Sequence, residues 1–182
     1  MTDETALMQQ IQQGQLDKLA VLFERHHVSL YNYFLRSGNS PALSEDLVQE
    51  TFTKILAYRQ SYSANGTFKS WMYGIAKNTM ADQYRGLAAT SVHVDADDEP
   101  LAANHSLQEN MEQKEKQSLF EAALQKLPVE LKESLVLSRY QQLNYEEIST
   151  MVGCNVNTFK SRIRKALSLL QSHYQVLSGE GE

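Results

Sequence analysis

The sequence holds only one cysteine, three prolines and eight glycines among its 182 residues. A single cysteine excludes a disulfide framework and any zinc site built from several cysteines. So few prolines and glycines argue against a many-turned β-sandwich and favour long uninterrupted helices. The longest apolar run, Leu19–Phe23, has five residues, whereas a membrane-spanning helix needs ~18. We therefore expect no membrane insertion.

The N-terminus and the cysteine content also indicate a compartment. Met1–Glu4 is acidic and lacks the basic and apolar regions of a secretory signal. One unpaired cysteine fits a reducing environment. The hydrophobic share of 42% is ordinary for a globular chain and excludes disorder throughout. We expect a cytoplasmic protein.

Charge is distributed unevenly along the chain, whose formal net charge is −5. Residues 1–90 are neutral, residues 91–121 carry −6, and residues 122–178 carry +3. The strongest cluster is Lys160–Lys165, with four basic residues in six and no acid. A basic segment near one end of an acidic protein indicates nucleic-acid contact there. The basic cluster, considered alone, is equally consistent with a solvent-exposed helix face that binds nothing.

Hydrophobic periodicity predicts the architecture. Apolar residues recur at helical spacing over 5–85 and again over 114–170. The periodicity is lost over 86–112, which contains Pro100 and the acidic cluster at 95–99. We predict an all-α protein of two small helical domains, residues 1–88 and 114–176, joined by a flexible acidic linker at 89–113.

The first domain is expected to contain four helices. Gly14 separates a short first helix from a longer second one, and Ser40 followed by Pro41 begins the third. Asn65 and Gly66 mark a loop before the fourth. The expected bounds are 5–36 for the first pair, 41–58, a loop at 61–67, and 68–85. The predicted apolar faces contain Leu43, Leu47, Phe52, Ile55 and Leu56 in the third helix, and Trp71, Met72, Ile75, Ala76 and Thr79 in the fourth.

The second domain ends in a candidate helix-turn-helix, Tyr145–Arg164. Asn144 and Glu147 have the spacing of a capping box, Gly153 suits the turn, and Asn155 is placed to cap the last helix. The residues expected to pack against the rest of the domain are Ile148, Val152, Phe159, Ile163, Ala166, Leu167 and Leu170. That packing leaves Asn157, Lys160, Ser161, Arg164 and Lys165 outward, and these residue types bind base edges or phosphates. An ordinary helical hairpin is the alternative.

Two other polar groupings are candidates for binding. The fourth helix combines aromatic and basic side chains, as surfaces for single-stranded nucleic acid do; Lys77, Asn78 and the preceding loop are the preferred candidates there. Asp46, Gln49, Glu50 and Thr53 share one face of the third helix through their spacing. A solvated face is the usual explanation for such a grouping.

Arrangements suited to catalysis or metal binding are lacking. The sequence contains no glycine-rich phosphate loop and no Ser/His/Asp pattern. His26 and His27 point ~100° apart on a helix, so they cannot easily share one ion. The acidic cluster lacks the central glycine and the bidentate glutamate of a calcium loop. We expect a protein that is not an enzyme and that uses no metal and no cofactor.

Four motifs, in order, resemble the extracytoplasmic-function group of bacterial RNA polymerase sigma factors. They lie at 23–33, at 44–52 (SEDLVQETF), at 68–85, and at 127–163 in the second domain. The similarity extends over about residues 5–172. It implies a transcription initiation factor that binds core RNA polymerase, directs it to specific promoters and helps open the minus-ten element. The alternative is a stand-alone helix-turn-helix regulator, which normally needs dimer symmetry or a sensor domain.

The resemblance also implies a role for individual residues. Docking on the beta-prime clamp helices of polymerase is implied for Asp46, Gln49, Glu50 and Thr53. Reading of the minus-ten element, with a flipped base, is implied for Tyr62, Asn65, Phe68, Lys69, Lys77, Asn78 and Arg85. Reading of the minus-thirty-five element is implied for Asn155, Asn157, Thr158, Lys160, Ser161, Arg162, Arg164 and Lys165. The expected partners are core polymerase (clamp helices and beta flap), promoter DNA and an anti-sigma factor.

Overall fold

The computed structural model describes residues 3–89, 111–140 and 143–179. These residues form two compact helical units and contain no strand. The first unit contains α1 (Glu4–Gln12), α2 (Lys18–Arg36), α3 (Pro41–Ala57), a 3-10 turn (Arg59–Ser61) and α4 (Phe68–Ala89). The second contains α5 (Met111–Gln125), α6 (Val129–Tyr140), α7 (Tyr145–Met151) and α8 (Val156–Ser178). The predicted all-α class and two-domain fold are confirmed.

The segment predicted as a linker lies mostly at 90–110, outside the described residues, and so does its acidic cluster. At its edges, α4 continues four residues beyond the predicted end at Arg85, and α5 begins three residues before Lys114. Gly86 lies inside α4. A glycine within a helix costs only about 1 kcal/mol relative to alanine, which is too little to end the helix there. The predicted domain boundaries at 88 and 114 stay predictions.

Local signals set the helix ends in the first unit. Gly14, between α1 and α2, has a φ of 99°, a backbone conformation that glycine adopts without steric cost. Ser40 caps α3 by accepting a hydrogen bond from the Leu43 amide at 3.3 Å, and Pro41 follows in the first turn. The predicted start of the third helix is confirmed.

The core of the first unit joins α1, α2, α3 and α4. Its fully buried members include Met8, Ile11, Leu22, Leu30, Tyr33, Phe34, Ile55, Met72 and Tyr73. The rings of Tyr33 and Tyr73 meet edge to face with centroids 5.3 Å apart. Burial raises the pKa of the Tyr73 phenol above its ordinary range, so this side chain stays neutral in the core.

The predicted apolar faces of α3 and α4 are partly wrong. Leu43, Leu56, Trp71 and Ile75 are only half-buried, whereas Ser44, Val48 and Thr51 are buried. The Thr51 hydroxyl donates to the Leu47 carbonyl at 2.6 Å within its own helix. Because that bond satisfies the hydroxyl, a polar residue can occupy a core position that was not in the predicted apolar face.

The core of the second unit lies where α5, α6 and α7 pack against α8. It includes Leu124, Leu131, Leu135, Val136, Leu137, Ile148, Phe159, Ile163, Ala166 and Leu170. Leu167, predicted to be buried, is 38% exposed. It follows Ala166 by one residue and is therefore turned about 100° away from the buried stripe.

Candidate nucleic-acid and protein interfaces

An exposed polar face runs along α3. The predicted docking residues Asp46, Gln49, Glu50 and Thr53 are all exposed, and Leu47 and Val48 are buried beneath them. Asp46 and Glu50 also line a groove between α3 and α4. The structure therefore brings the four residues together on one accessible surface, as their spacing predicts.

An ion-pair network crosses this groove. The Lys54 ammonium lies 3.7 Å from Glu50 Oε1 and donates to Asp82 Oδ2 at 2.9 Å. Arg85 pairs with the other carboxylate oxygen of Asp82. The Lys54 hydrogen bond first, and then the Arg85 guanidinium, hold the pKa of the Asp82 carboxyl below its ordinary value. The network links α3 to α4, a contact that helical periodicity does not reveal.

The loop before α4 is exposed in its middle and held at both ends. Ser63–Gly66, with the predicted residue Asn65, is exposed. At one end, the buried ring of Tyr62 meets Trp71 edge to face at 5.2 Å. At the other end, the Thr67 hydroxyl accepts a hydrogen bond from the Ser70 amide at 3.2 Å. We call residues 63–66 the 63–66 loop.

Two predicted DNA contacts need correction because their side chains are buried. Phe68 is 1% exposed and Tyr62 is 7% exposed, and their rings meet edge to face with centroids 6.3 Å apart. A side chain without accessible surface cannot stack on a base in this conformation. Both residues lie in the core beside the 63–66 loop. From the sequence alone, an aromatic side chain here could equally pack in the core or stack on a base.

The remaining minus-ten candidates lie on α4. Asn78 and Arg85 are exposed, and their seven-residue spacing puts them on the same face of the helix. Lys69 and Lys77 are half-buried. The structure therefore presents an amide and a guanidinium together on one side of α4.

The helix-turn-helix forms at the predicted residues. Asn144 Oδ1 accepts from the Glu147 amide at 2.8 Å, and the Asn144 amide donates to Glu147 Oε2 at 3.1 Å, which completes the capping box of α7. Asn155 Oδ1 accepts from the Thr158 amide at 2.8 Å and caps α8. Gly153 has a φ of 67° in the turn between them.

The buried side of α8 fixes which residues face outward. Phe159 and Ile163 are buried, and the Tyr145 ring of α7 meets Phe159 edge to face at 5.2 Å. Seven of the eight predicted residues are exposed: Asn155, Asn157, Thr158, Lys160, Ser161, Arg164 and Lys165.

Arg162 differs from the other seven. Its side chain is 30% exposed and its guanidinium lies 3.8 Å from Glu130 Oε2 of α6. Three residues after Phe159, it stands on the side of α8 that packs against the rest of the unit. Arg162 therefore lies in an ion pair within the protein, and its part in reading the minus-thirty-five element stays a prediction.

Each histidine of the pair on α2 has its own protein partner. His26 Nε2 lies 2.7 Å from Glu4 Oε1, and His27 Nδ1 lies 3.0 Å from the Phe23 carbonyl. In the part of the chain that the structure describes, no group of three or more His, Cys, Asp or Glu residues is placed to hold a metal ion. Among those same residues, no helix is long and apolar enough to cross a membrane.

Comparison with known families accounts for both units. The sequence matches Sigma-70 region 2 over residues 22–90 and Sigma-70, region 4 over residues 117–170. The two matches together span more than half of the chain. The chain belongs to the sigma-70 family of RNA polymerase sigma factors. The region 2 match contains the exposed face of α3, the 63–66 loop and α4, and the region 4 match contains the helix-turn-helix.

Curated relatives extend this similarity to nearly the whole chain. The sigma factor is 29% identical to the ECF RNA polymerase sigma-E factor of Escherichia coli K12, over 97% of this chain and 96% of that protein. It is 26% identical to the RNA polymerase sigma-H factor of Pseudomonas aeruginosa, over 96% of this chain and 95% of that protein. The predicted family, the extracytoplasmic-function group, is confirmed, and the sigma factor is a transcription initiation factor that binds RNA polymerase.

Two solved structures share the fold. The sigma factor RpoE of Bartonella quintana, in complex with the anti-sigma factor NepR, aligns with a TM-score of 0.71 at 23% identity, over 86% of this chain and 96% of that one. CnrH, in complex with the cytosolic domain of CnrY, aligns with a TM-score of 0.69 at 21% identity, over 92% of this chain and 94% of that one.

Proposed function

We propose that this sigma factor divides its work among three surfaces and acts in the cytoplasm without catalytic activity of its own. The face of α3 docks on the beta-prime clamp helices, the 63–66 loop and α4 open the minus-ten element, and α8 reads the minus-thirty-five element. The observation that carries this proposal is the division of α8 into a buried apolar side and an exposed polar side.

For α8, both the helix start and the exposed side chains favour DNA. The cap at Asn155 leaves the remaining amide groups of the first turn open, and the helix dipole adds partial positive charge, so this end suits a phosphate. Lys160, Ser161 and Arg164 then project into the major groove, where lysine and arginine pair with guanine. Lys165, farther around the helix, contacts phosphate.

For the minus-ten element, an exposed loop with anchored ends suits an extruded base. Extrusion costs a few kcal/mol of stacking and pairing, which contacts from the 63–66 loop and Asn78 offset. The exposed carboxamide of Asn78 both donates and accepts hydrogen bonds, so it can satisfy the pairing edge of a base.

For the polymerase, the exposed carboxylates of Asp46 and Glu50 provide charge complementary to a basic partner surface. We further propose that the second unit contacts the beta flap and that the acidic segment at 95–99 enters the polymerase's nucleic-acid channel. An anti-sigma factor is proposed as a partner because RpoE of Bartonella quintana was solved with one.

Transcription with and without polymerase tests the proposal as a whole. The sigma factor with core enzyme is expected to direct run-off transcription from its promoters and to protect both promoter elements. The free chain is expected to show no sequence-specific binding. Tight, specific operator binding by the free chain would instead establish the stand-alone regulator.

Permanganate footprinting tests the minus-ten surface separately. Asn78→Ala and Asn65→Ala are expected to reduce permanganate reactivity of the melted region more than they reduce binding to duplex promoter. Gln9→Ala, an exposed amide on α1, serves as the control. Reactivity equal to that of the unaltered protein in both variants would remove the minus-ten assignment.

A further inference from the structure

Helix α1 lies before the region 2 match, which begins at residue 22, yet it contacts the segment leading into the 63–66 loop. Leu7, Met8 and Ile11 bury one side of α1 in the core of the first unit. Its last residue, Gln12, reaches the 3-10 turn at Arg59–Ser61. Region 2 similarity therefore assigns no role to this contact.

The Gln12 carboxamide bridges the two ends of that turn. Its Nε2 donates to the Arg59 carbonyl at 2.9 Å and to the Tyr62 carbonyl at 3.0 Å. An amide nitrogen carries two hydrogens, so both are used here. In return, Gln60 Nε2 donates to the Gln12 carbonyl at 2.9 Å. Three hydrogen bonds thus join the end of α1 to the residues just before the 63–66 loop.

Tyr62 is held by its side chain as well as by its backbone. Its ring is buried against Trp71 and Phe68, and its hydroxyl lies 3.4 Å from the Thr5 hydroxyl of α1. Gln12 therefore acts on a residue that the core already orients. The backbone of the loop begins from a defined position and direction.

We propose that Gln12 is a positioning residue for promoter opening, because its carboxamide holds the Tyr62 end of the 63–66 loop ready to receive an extruded base. This inference rests on the proposed role of that loop. Ordering a loop at the moment of binding consumes binding free energy, and a loop whose ends are already fixed avoids part of that loss. Gln12 acts through the loop and has no contact with DNA.

The test compares Gln12→Met with Gln9→Met in the full chain bound to core polymerase. Methionine is close to glutamine in length but has no N–H donor, so it removes both bonds to the turn. Gln9 is exposed on the same helix and controls for the substitution itself. Permanganate reactivity should develop about tenfold more slowly in Gln12→Met, as expected for two lost hydrogen bonds. Polymerase affinity should match the control.

A promoter template with a pre-melted minus-ten region separates positioning from general damage. Gln12→Met is expected to recover transcription on this template, because the base no longer has to be extruded. Opening at the control rate would overturn the inference, and so would a defect that persists on the pre-melted template. If Gln12→Met does not fold, Gln60→Met, which removes only the reciprocal bond, must slow opening in the same direction.

Asn65→Ala separates the positioning role of Gln12 from the proposal that the 63–66 loop receives the extruded base. If Asn65→Ala leaves opening unchanged, the 63–66 loop does not receive the base and both ideas fail. If Asn65→Ala slows opening while Gln12→Met and Gln60→Met do not, the loop keeps its role and only the positioning role of Gln12 is overturned.

Discussion

Asp46 and Glu50 occupy exposed positions above a buried stripe of α3. This arrangement separates binding from folding, because the residues beneath them stabilise the helix while the carboxylates themselves face outward. Substitutions at such exposed sites usually change stability by less than about 0.5 kcal/mol. Glu50 also lies 3.7 Å from the Lys54 ammonium, but an exposed ion pair contributes at most about 1 kcal/mol, so variants at these two positions report mainly on partner binding.

Reversing both charges, Asp46→Lys with Glu50→Lys, is expected to weaken binding to core polymerase by at least about a hundredfold, since like charges at an interface cost several kcal/mol. Titration of labelled core enzyme measures the affinity, and circular dichroism measures the unfolding transition. Glu45→Lys reverses one charge on a neighbouring face of α3 and should bind normally. Loss of cooperative unfolding in the double variant would show that these residues are structural.

We expect the basic residues of α8 to differ in what each one contacts. Arg164→Ala is expected to relax preference at particular upstream base pairs, with ~1–3 kcal/mol of discrimination lost. Lys165→Ala should weaken all promoters alike and reduce the salt dependence by about one unit. Arg162→Ala should leave the salt dependence unchanged because Arg162 pairs with Glu130.

A base-by-base promoter scan for each α8 variant, repeated over a salt series, provides the measurement. Uniform weakening by Arg164→Ala would make Arg164 a phosphate contact. A lower salt slope in Arg162→Ala would instead show that Arg162 contacts phosphate.

At the scale of elements, α7 depends on its first residues. It spans seven residues, whereas isolated helices shorter than ~12–15 residues are marginal in water. Asn144→Ala removes one half of the capping box and is expected to destabilise the second unit by ~1 kcal/mol. Asn157→Ala, an exposed asparagine within α8, should have little effect on stability. Urea unfolding of both variants tests this difference, and equal stability would mean that the cap contributes nothing.

The link between α3 and α4 is expected to depend on pH. Because the pKa of Asp82 is lowered by Lys54 and Arg85, the folded protein holds this carboxyl ionised more readily than the unfolded chain. Its contribution is present above the ordinary aspartate pKa and disappears as the pH falls through the lowered value. Asp82→Asn should therefore lower the melting temperature slightly at neutral pH and leave it unchanged in strong acid. Glu45→Gln is the control, and a difference that persists in strong acid would contradict the ion-pair explanation.

Capped helix starts were predictable from the sequence because they depend on neighbouring residues. Ser40, Asn144 and Asn155 accept hydrogen bonds from amides three residues ahead, so the capping pattern lies within four consecutive positions. Burial was less predictable because it depends on which helix lies opposite. Phe68 and Arg162 were predicted to contact DNA, but each meets a partner from a distant part of its own unit.

At the scale of the whole molecule, the net charge of −5 does not describe the surface of α8. Four basic residues lie between Lys160 and Lys165, three of them exposed, and such local charge attracts DNA within the short range that salt permits. The same chain exposes carboxylates on α3, the surface that we propose for a different partner. The role proposed for Gln12 could not be predicted from charge or from hydrophobic periodicity. Its side chain is neutral, and its contacts are hydrogen bonds to two backbone carbonyls.

The shortness of α7 also has a consequence for how the helix-turn-helix opens. A helix of seven residues gains its stability from Ile148 and Tyr145 packed against α8, so it has little protection of its own. The amide hydrogens of α7 and of the first half of α8 should then exchange with solvent together, as one cooperative foldon.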